Sequence, residues 1–237
     1  MVGGQALVKQ AKLRKILSEV NHYKVAFNAF NLEYNAVPGD FNSATSYWPG
    51  QTNNGTGNKR VTSLPQFGVR FEPALFWQHL SLAGLFNNNL INIGVGGGSG
   101  RGAIEGNNMP MSSLNIGGYI PLYPNSSEDS GYSNWNYWQF ENLNRHFLLL
   151  AEQDNPSTPY RLSMGPVMTV KDAANIDNKI DDGLPDTGIV GNLVPSHNSL
   201  IYSACRVGAL TVGGQGNSNE YNLTNTDAKA CAMIFSL

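Results

Sequence analysis

The chain has few charges, only two cysteines and no long apolar run. Charged residues make up 14% of its 237 residues, against about 25% in an average soluble domain. The formal net charge of −2 gives no reason to expect a nucleic-acid partner. No apolar run reaches the ~20 residues that span a bilayer, so we expect the chain as printed to be soluble. Gly and Asn are abundant instead, which favours long loops over a helical enzyme.

The motifs of the common enzyme and metal classes are missing as well. The sequence has no CxxC pair for zinc, no GxSxG elbow and no Ser-x-x-Lys. Residues 94–102 are rich in glycine but lack the spacing of a phosphate loop, so we expect a surface loop there. None of the four histidines has the spacing of a metal ligand: His22, His79, His146 and His197. A hydrolase therefore has the least support, and we expect no catalytic residues.

A long one-sided helix near the N-terminus is the strongest positive signal. Seven residues spaced alternately three and four apart fall on one narrow arc of a helix and predict its core face: Leu13, Ile16, Val20, Tyr23, Phe27, Phe30 and Tyr34. Pro38 and Gly39 end this helix. A thinner apolar set lies on the opposite face: Leu7, Ala11, Val25, Ala29 and Leu32. Because a free monomer would expose it, we predict that this second face contacts neighbouring subunits.

Shorter elements follow and predict an α+β fold. Pro73 suits a first helical position, so a helix is expected from there to about Phe86. The pattern from Trp135 to Ala151 predicts another helix. Thr169, with Asp172 three residues later, predicts a capped helix that ends at Gly183. A surface loop is expected at residues 42–66, and extended segments are expected at Leu90–Val95, Gly118–Tyr123, Ser199–Ala204, Val207–Val212 and Ala230–Leu237.

An acidic turn after the last predicted helix needs an explanation. Asp177 and Asp181 are four apart, where like charges repel, and Asp182 follows at a helix C-terminus that disfavours anions. Local capping around Gly183, together with Lys179, offers one solution. Calcium offers another, although the spacing is not that of an EF-hand. Calcium at these three aspartates is therefore a weak candidate, and we expect no other cofactor.

The cysteines and one aromatic cluster leave alternatives open. Cys205 and Cys231 fit buried thiols or, in an oxidising compartment, a disulfide that closes a loop of roughly 27 residues. An aromatic cluster spans residues 132–138, with Tyr132, Trp135, Tyr137 and Trp138. Such a cluster is usually core, but it also suits stacking on sugars or single-stranded DNA. A secreted or surface binding module for glycan or DNA is therefore the alternative function.

Five segments resemble recurring pieces of one protein family. They are Val2–Gln5, Ser18–Tyr23, Tyr34–Asp40 with its Pro-Gly-Asp exit, Phe76–Leu85 and Asn175–Gly188. In these segments, which are a minor part of its length, the chain is similar to type IV pilins and type II secretion pseudopilins.

The resemblance implies a pilin-like single domain over residues 1–237. Residues 1–35 would be a truncated N-terminal helix, packed on the C-terminal antiparallel sheet of a globular part at 36–237. The implied role is a non-enzymatic subunit of a pseudopilus or type IV pilus-like filament, acting in protein transport or surface filament assembly.

The resemblance also implies partners and a location. The partners would be other pilin or pseudopilin subunits and the secretion or pilus assembly machinery. The native helix would continue upstream as a single-pass anchor in the bacterial inner membrane, with the domain in the periplasm or in an extracellular filament. Many pilins have a disulfide near the C-terminus, which favours pairing of Cys205 with Cys231. Some pseudopilins bind calcium, so the resemblance also implies calcium as a candidate ligand of the acidic turn.

Overall fold

The computed structural model describes residues 2–62, 72–87, 90, 104–123, 144–152, 165–193, 204–207, 220–225, 227 and 229–237. The described elements, in chain order, are α1 (Val2–Tyr34), α2 (Ala44–Tyr47), α3 (Glu72–Leu82), β1 (Gly118–Leu122), β2 (Phe147–Ala151), β3 (Met168–Thr169), α4 (Val170–Ile180), β4 (Val190–Leu193), a 3₁₀ helix (Leu223–Asn225) and β5 (Lys229–Ser236). An N-terminal helix and one antiparallel sheet make the chain α+β, and this prediction is confirmed.

The five described strands form one antiparallel sheet around β5. Strand β2 pairs with one edge of β5, and β1 pairs with the far edge of β2. The other edge of β5 pairs first with β3 and then with β4. Every residue of β5 after Lys229 is buried. A strand covered on both faces needs apolar side chains at nearly every position, which explains its unbroken apolar run.

The predicted core face of α1 packs on α3 and β1. The Tyr23 ring lies edge-on to Trp77 of α3 at 4.9 Å and to Tyr119 of β1 at 5.0 Å between ring centroids. Tyr34 is half-buried, and the other six residues of this face are buried: Leu13, Ile16, Val20, Tyr23, Phe27 and Phe30. Full burial of such side chains contributes ~1.5–3 kcal/mol each, so this face is a major source of stability.

Several shorter elements agree with the sequence. Helix α3 begins at Glu72, one residue before the predicted start, and ends earlier than expected, at Leu82. Thr169 is the N-cap of α4, and its hydroxyl accepts a hydrogen bond from the Asp172 N–H at 3.2 Å. Strands β1 and β5 fall on two of the predicted extended segments.

The predicted helix from Trp135 to Ala151 is wrong at its C-terminal end. Residues Phe147–Ala151 form β2, between β1 and β5. All five of its side chains are fully buried, so this strand has no alternation of apolar and polar residues. A short continuous apolar run cannot be told from a buried helix by its periodicity. Residues 124–143 lie outside the described residues.

Most of the described part of the predicted surface loop at 42–66 is irregular and exposed or half-buried, as expected. The exceptions are the short helix α2 and the buried side chains of Thr52, Val61 and Thr62. Three predicted extended segments lie mostly outside the described residues: Leu90–Val95, Ser199–Ala204 and Val207–Val212. Within the described part of them, Leu90, Ala204 and Val207 do not lie in strands.

Candidate functional site

The face of α1 opposite its core face is exposed, and it is apolar at both ends. Leu7 is 73% exposed, Val25 67% and Leu32 87%. Ala11 is also exposed, and Ala29 is half-buried. Large apolar side chains at such exposure, aligned on one helix, form a surface that another protein or a lipid can cover. We call these five residues the outer face of α1.

The outer face is interrupted in its middle by polar residues. At ~100° per residue, Arg14, Ser18 and His22 fall on the same side of the helix as Leu7 and Val25. All three are exposed. The stretch from Ala11 to Val25 rises about 21 Å along the helix at 1.5 Å per residue. The apolar surface therefore has two separate patches, one at each end of α1.

The acidic turn after α4 is held by hydrogen bonds from the protein itself. Asp177 accepts from the Gly183 N–H at 2.9 Å and from the Tyr221 hydroxyl at 2.7 Å. Asp181 accepts from the backbone N–H groups of Ile189 and Val190, the latter at 2.7 Å. Asp182 accepts at 2.9 Å from the Leu184 N–H and at 2.6 Å from the Thr187 hydroxyl. Each carboxylate therefore caps backbone groups of the turn, as the local explanation predicted.

The same carboxylates lie close enough to form a candidate metal site. One oxygen from each of Asp177, Asp181 and Asp182 lies within 4.8 Å of the others. Burial raises the pKa of Asp177 to about 6, against the opposing effect of the hydrogen bonds from Tyr221 and Gly183. A calcium ion would have to compete with the N–H and O–H donors already bonded to these oxygens. Calcium at these three aspartates therefore stays an untested alternative to the local capping.

A disulfide and a buried arginine fix the acidic turn to the C-terminal strand. Cys205 and Cys231 are joined, in agreement with the prediction, and both are fully buried. The neighbouring Arg206 donates hydrogen bonds to the carbonyls of Pro185 and Asn192 at 2.9 and 2.7 Å. Cys231 lies in β5, so the covalent link and the arginine together connect the acidic turn to the centre of the sheet.

A second polar centre, which the sequence reasoning missed, surrounds Asp40. This carboxylate is buried and accepts from the Thr56 hydroxyl at 2.8 Å and from three consecutive N–H groups, those of Gly57, Asn58 and Lys59, at 2.6 to 3.0 Å. A Cβ on Gly55 would lie 2.3 Å from the Gly39 carbonyl oxygen, so the chain approaches itself too closely there for any side chain.

Glu72 and His79 complete this centre from one face of α3. Glu72 accepts from the N–H groups of Thr56 and Thr62 at 2.9 and 2.7 Å. His79 Nδ1 accepts from the Gly39 N–H at 2.9 Å, which leaves its Nε2 to donate to the Asn53 carbonyl at 3.1 Å. Burial raises the pKa of Glu72 to about 6 and lowers that of His79 to about 4. The centre therefore requires a neutral imidazole.

The described contacts indicate that this centre stabilises the fold. Its carboxylates and its imidazole accept hydrogen bonds from N–H and O–H groups of residues 39–62. The Pro-Gly-Asp exit of the first helix was the available signal, because Asp40 follows a turn directly. Glu72 and His79, which are far from Asp40 in sequence, gave no comparable signal.

Other sequence candidates are scattered or lie outside the described residues. His22 is exposed on α1, and His146 packs 5.4 Å from the ring of Phe27. The glycine-rich segment 94–102, the aromatic cluster 132–138 and His197 all lie outside the described residues.

Within the described residues, the structure contains no helix that is both long enough and apolar enough to cross a membrane.

Comparisons with known proteins identify no similar protein. The chain matches no protein-family model, no curated protein and no solved structure.

Proposed function

We propose that this chain is a structural, non-enzymatic subunit of a filament of the pilin or pseudopilin kind. The observation that carries the proposal is the two-sided design of α1. One face of the helix packs on α3 and β1, and the opposite face exposes Val25 and Leu32. In a monomer, apolar side chains that point into water from a rigid helix contribute no stability. In a filament, contacts between copies of the chain would bury these side chains.

The outer face is too small to hold a stable interface between subunits by itself. Stable interfaces bury about 1,200 Å² or more in total, and one narrow, interrupted helix face supplies only part of that area. The isolated chain should therefore be monomeric or weakly associating. In the proposed filament, α1 contacts other pilin or pseudopilin subunits while the sheet and the acidic turn form the body of each subunit. The proposed setting is the periplasm or the exterior of a bacterium, where the disulfide between Cys205 and Cys231 is stable.

Substitution of the outer face tests this proposal. Val25→Glu and Leu32→Glu should leave the fold intact, because both side chains are exposed, but should abolish filaments in cells that produce the protein. Leu223→Glu is the matched control, since Leu223 is an exposed apolar residue of the 3₁₀ helix far from α1 in sequence. Normal filament amounts in the Val25→Glu variant would contradict the proposal.

An alternative, a binding module for glycan, has one observation in its favour. Tyr47 is exposed, and its ring centroid lies 5.4 Å from Tyr34 and 6.0 Å from Trp48. Half-exposed aromatic rings beside a loop rich in Asn and Thr can stack on sugar rings. A glycan array should show no specific binding if the filament proposal is correct. Binding that is lost in the Tyr47→Ala variant would favour the alternative.

A further inference from the structure

Asparagine occurs in the chain within the tripeptide Asn-x-Ser/Thr, whose middle residue is not proline. We call this tripeptide a sequon, because enzymes that attach glycans to the asparagine side chain recognise it. The sequons begin at Asn54, Asn125 and Asn222. Asn125 lies outside the described residues. Because a chain rich in Asn contains such tripeptides by chance, the folded setting of Asn54 and Asn222 has to distinguish an acceptor from a coincidence.

The sequon at Asn222 lies on the surface. Its second and third residues belong to the 3₁₀ helix Leu223–Asn225. Leu223 is 59% exposed, Thr224 is exposed and Asn222 is half-buried. The Asn222 N–H donates to the Cys205 carbonyl at 2.9 Å, so the backbone of the sequon is fixed beside the disulfide. An enzyme can therefore reach this tripeptide without unfolding its neighbours.

The Asn222 carboxamide has the hydrogen bonds that this reaction needs. Its Oδ1 accepts from the Thr224 N–H at 3.3 Å and from the Thr224 hydroxyl. A carboxamide nitrogen is a weak nucleophile, because its electron pair is delocalised into the carbonyl group. Donors on the oxygen stabilise the negative charge that it gains when the nitrogen loses a proton. Asn222 Nδ2 makes no hydrogen bond to any other described residue, so it can react.

The sequon at Asn54 has different contacts. Asn54 is exposed, but its Oδ1 accepts from the N–H and the hydroxyl of Thr45, at 2.8 and 3.1 Å. The Thr56 hydroxyl donates instead to the buried Asp40 carboxylate at 2.8 Å. The hydroxyl of this sequon therefore does not assist its own asparagine. To present it to an enzyme, the chain would have to break the polar centre around Asp40.

Two further observations favour Asn222. The disulfide of Cys205 requires an oxidising compartment, and proteins of such compartments are the ones that receive asparagine-linked glycans. Glu220, two positions before Asn222, is exposed, so an enzyme with a cationic peptide groove can hold the segment there. The residue at the same position before Asn54 is the uncharged Thr52.

We propose that Asn222 is the acceptor of an asparagine-linked glycan. The donor is an oligosaccharide joined to a lipid through a diphosphate. Nδ2 gives one proton to a base of the transferase and forms a bond to the anomeric carbon of the sugar. The bond from that carbon to the diphosphate oxygen breaks, and the lipid diphosphate leaves with the electron pair. The attached glycan is bulky and hydrophilic, and it covers the exposed Leu223.

Mass spectrometry of the whole protein from its producing cells tests this proposal. The peptide that contains Asn222 should carry the mass of a glycan, and Asn222→Gln should lose that mass. Thr224→Val removes the hydroxyl at nearly constant shape and should also lose it, whereas Thr224→Ser should retain it. Asn54→Gln is the matched control and should leave the glycan mass unchanged. Circular dichroism melting of each variant checks that the fold is retained.

The opposite results are equally clear. An Asn222 peptide without added mass would overturn the proposal, and so would a glycan that remains in Thr224→Val. Modification of Asn54 to the same extent as Asn222 would show that the folded contacts do not select the acceptor, which also contradicts the proposal. The proposal is independent of the filament, because Val25→Glu should retain the glycan. A failure of one proposal is therefore distinguishable from a failure of the other.

Discussion

Removing the Asp40 carboxylate should destabilise the protein by about 3–5 kcal/mol. In Asp40→Ala, the three N–H groups of residues 57–59 and the Thr56 hydroxyl lose a charged acceptor. A hydrogen bond to a charged group contributes about 1.5–3 kcal/mol net. The sum over four such bonds exceeds the expected destabilisation. Because residues 57–59 are exposed, water can bond to the freed N–H groups and reduce the loss of stability. The free energy of unfolding, measured from urea denaturation, gives the loss directly.

Two controls separate this effect from a general loss of charge. Asp40→Asn keeps one carbonyl oxygen but turns an NH₂ group toward an N–H donor, so it should cost about half as much. Asp227→Ala removes an exposed carboxylate and should cost less than about 0.5 kcal/mol. In Asp40→Ala, the amide hydrogens of residues 57–59 should exchange faster with deuterium. A loss below about 1 kcal/mol with unchanged exchange would refute the structural role of Asp40.

Three further predictions concern α1, acid and calcium. Phe27→Ala should cost about 3–5 kcal/mol because the ring is buried, and Val25→Ala should cost less than about 0.5 kcal/mol; equal urea midpoints would contradict a one-sided helix. Burial lowers the pKa values of His79 and His146 to about 4. The stability that each neutral ring contributes is therefore complete above pH 6.5 and is lost as the pH falls toward 4. The loss should reach up to about 3 kcal/mol for each histidine. Burial raises the pKa values of Glu72 and Asp177 to about 6, so these two groups act in the opposite direction below pH 6. The check is therefore the difference between unfolding curves of His79→Gln and of the unchanged protein from pH 8 to pH 4. His79→Gln should lose less stability toward pH 4, and an unchanged slope would argue against this. Calcium should leave the melting temperature unchanged, and a rise that Asp181→Asn abolishes would establish a metal site.

The sequence predicted correctly the elements whose signals lie within a short stretch of the chain. The spacing of Leu13 to Tyr34 fixed the packed side of α1, because one buried face requires a 3.6-residue period. Thr169 and Asp172 predicted the start of α4 through the cap that the structure contains. The capping role of the acidic turn was one of two alternatives that the sequence left open.

The missed features depend on contacts between distant residues. Strand β2 is covered on both faces, and its neighbours β1 and β5 lie far away in the sequence, so its apolar run carries no period that marks a strand. Asp40 and Glu72 meet the same loop although 32 positions separate them (72 − 40). Only the folded chain brings these groups together.

Photo-cross-linking in the producing cells tests the central claim most directly. A benzophenone amino acid placed at Val25 lies on the outer face of α1, and the same residue placed at Leu223 provides an exposed control position. The filament proposal predicts cross-links from position 25 to a second copy of the chain, or to a related subunit, and few from position 223. Cross-links that are absent at position 25, or equally abundant at both positions, would contradict an interface between subunits on α1.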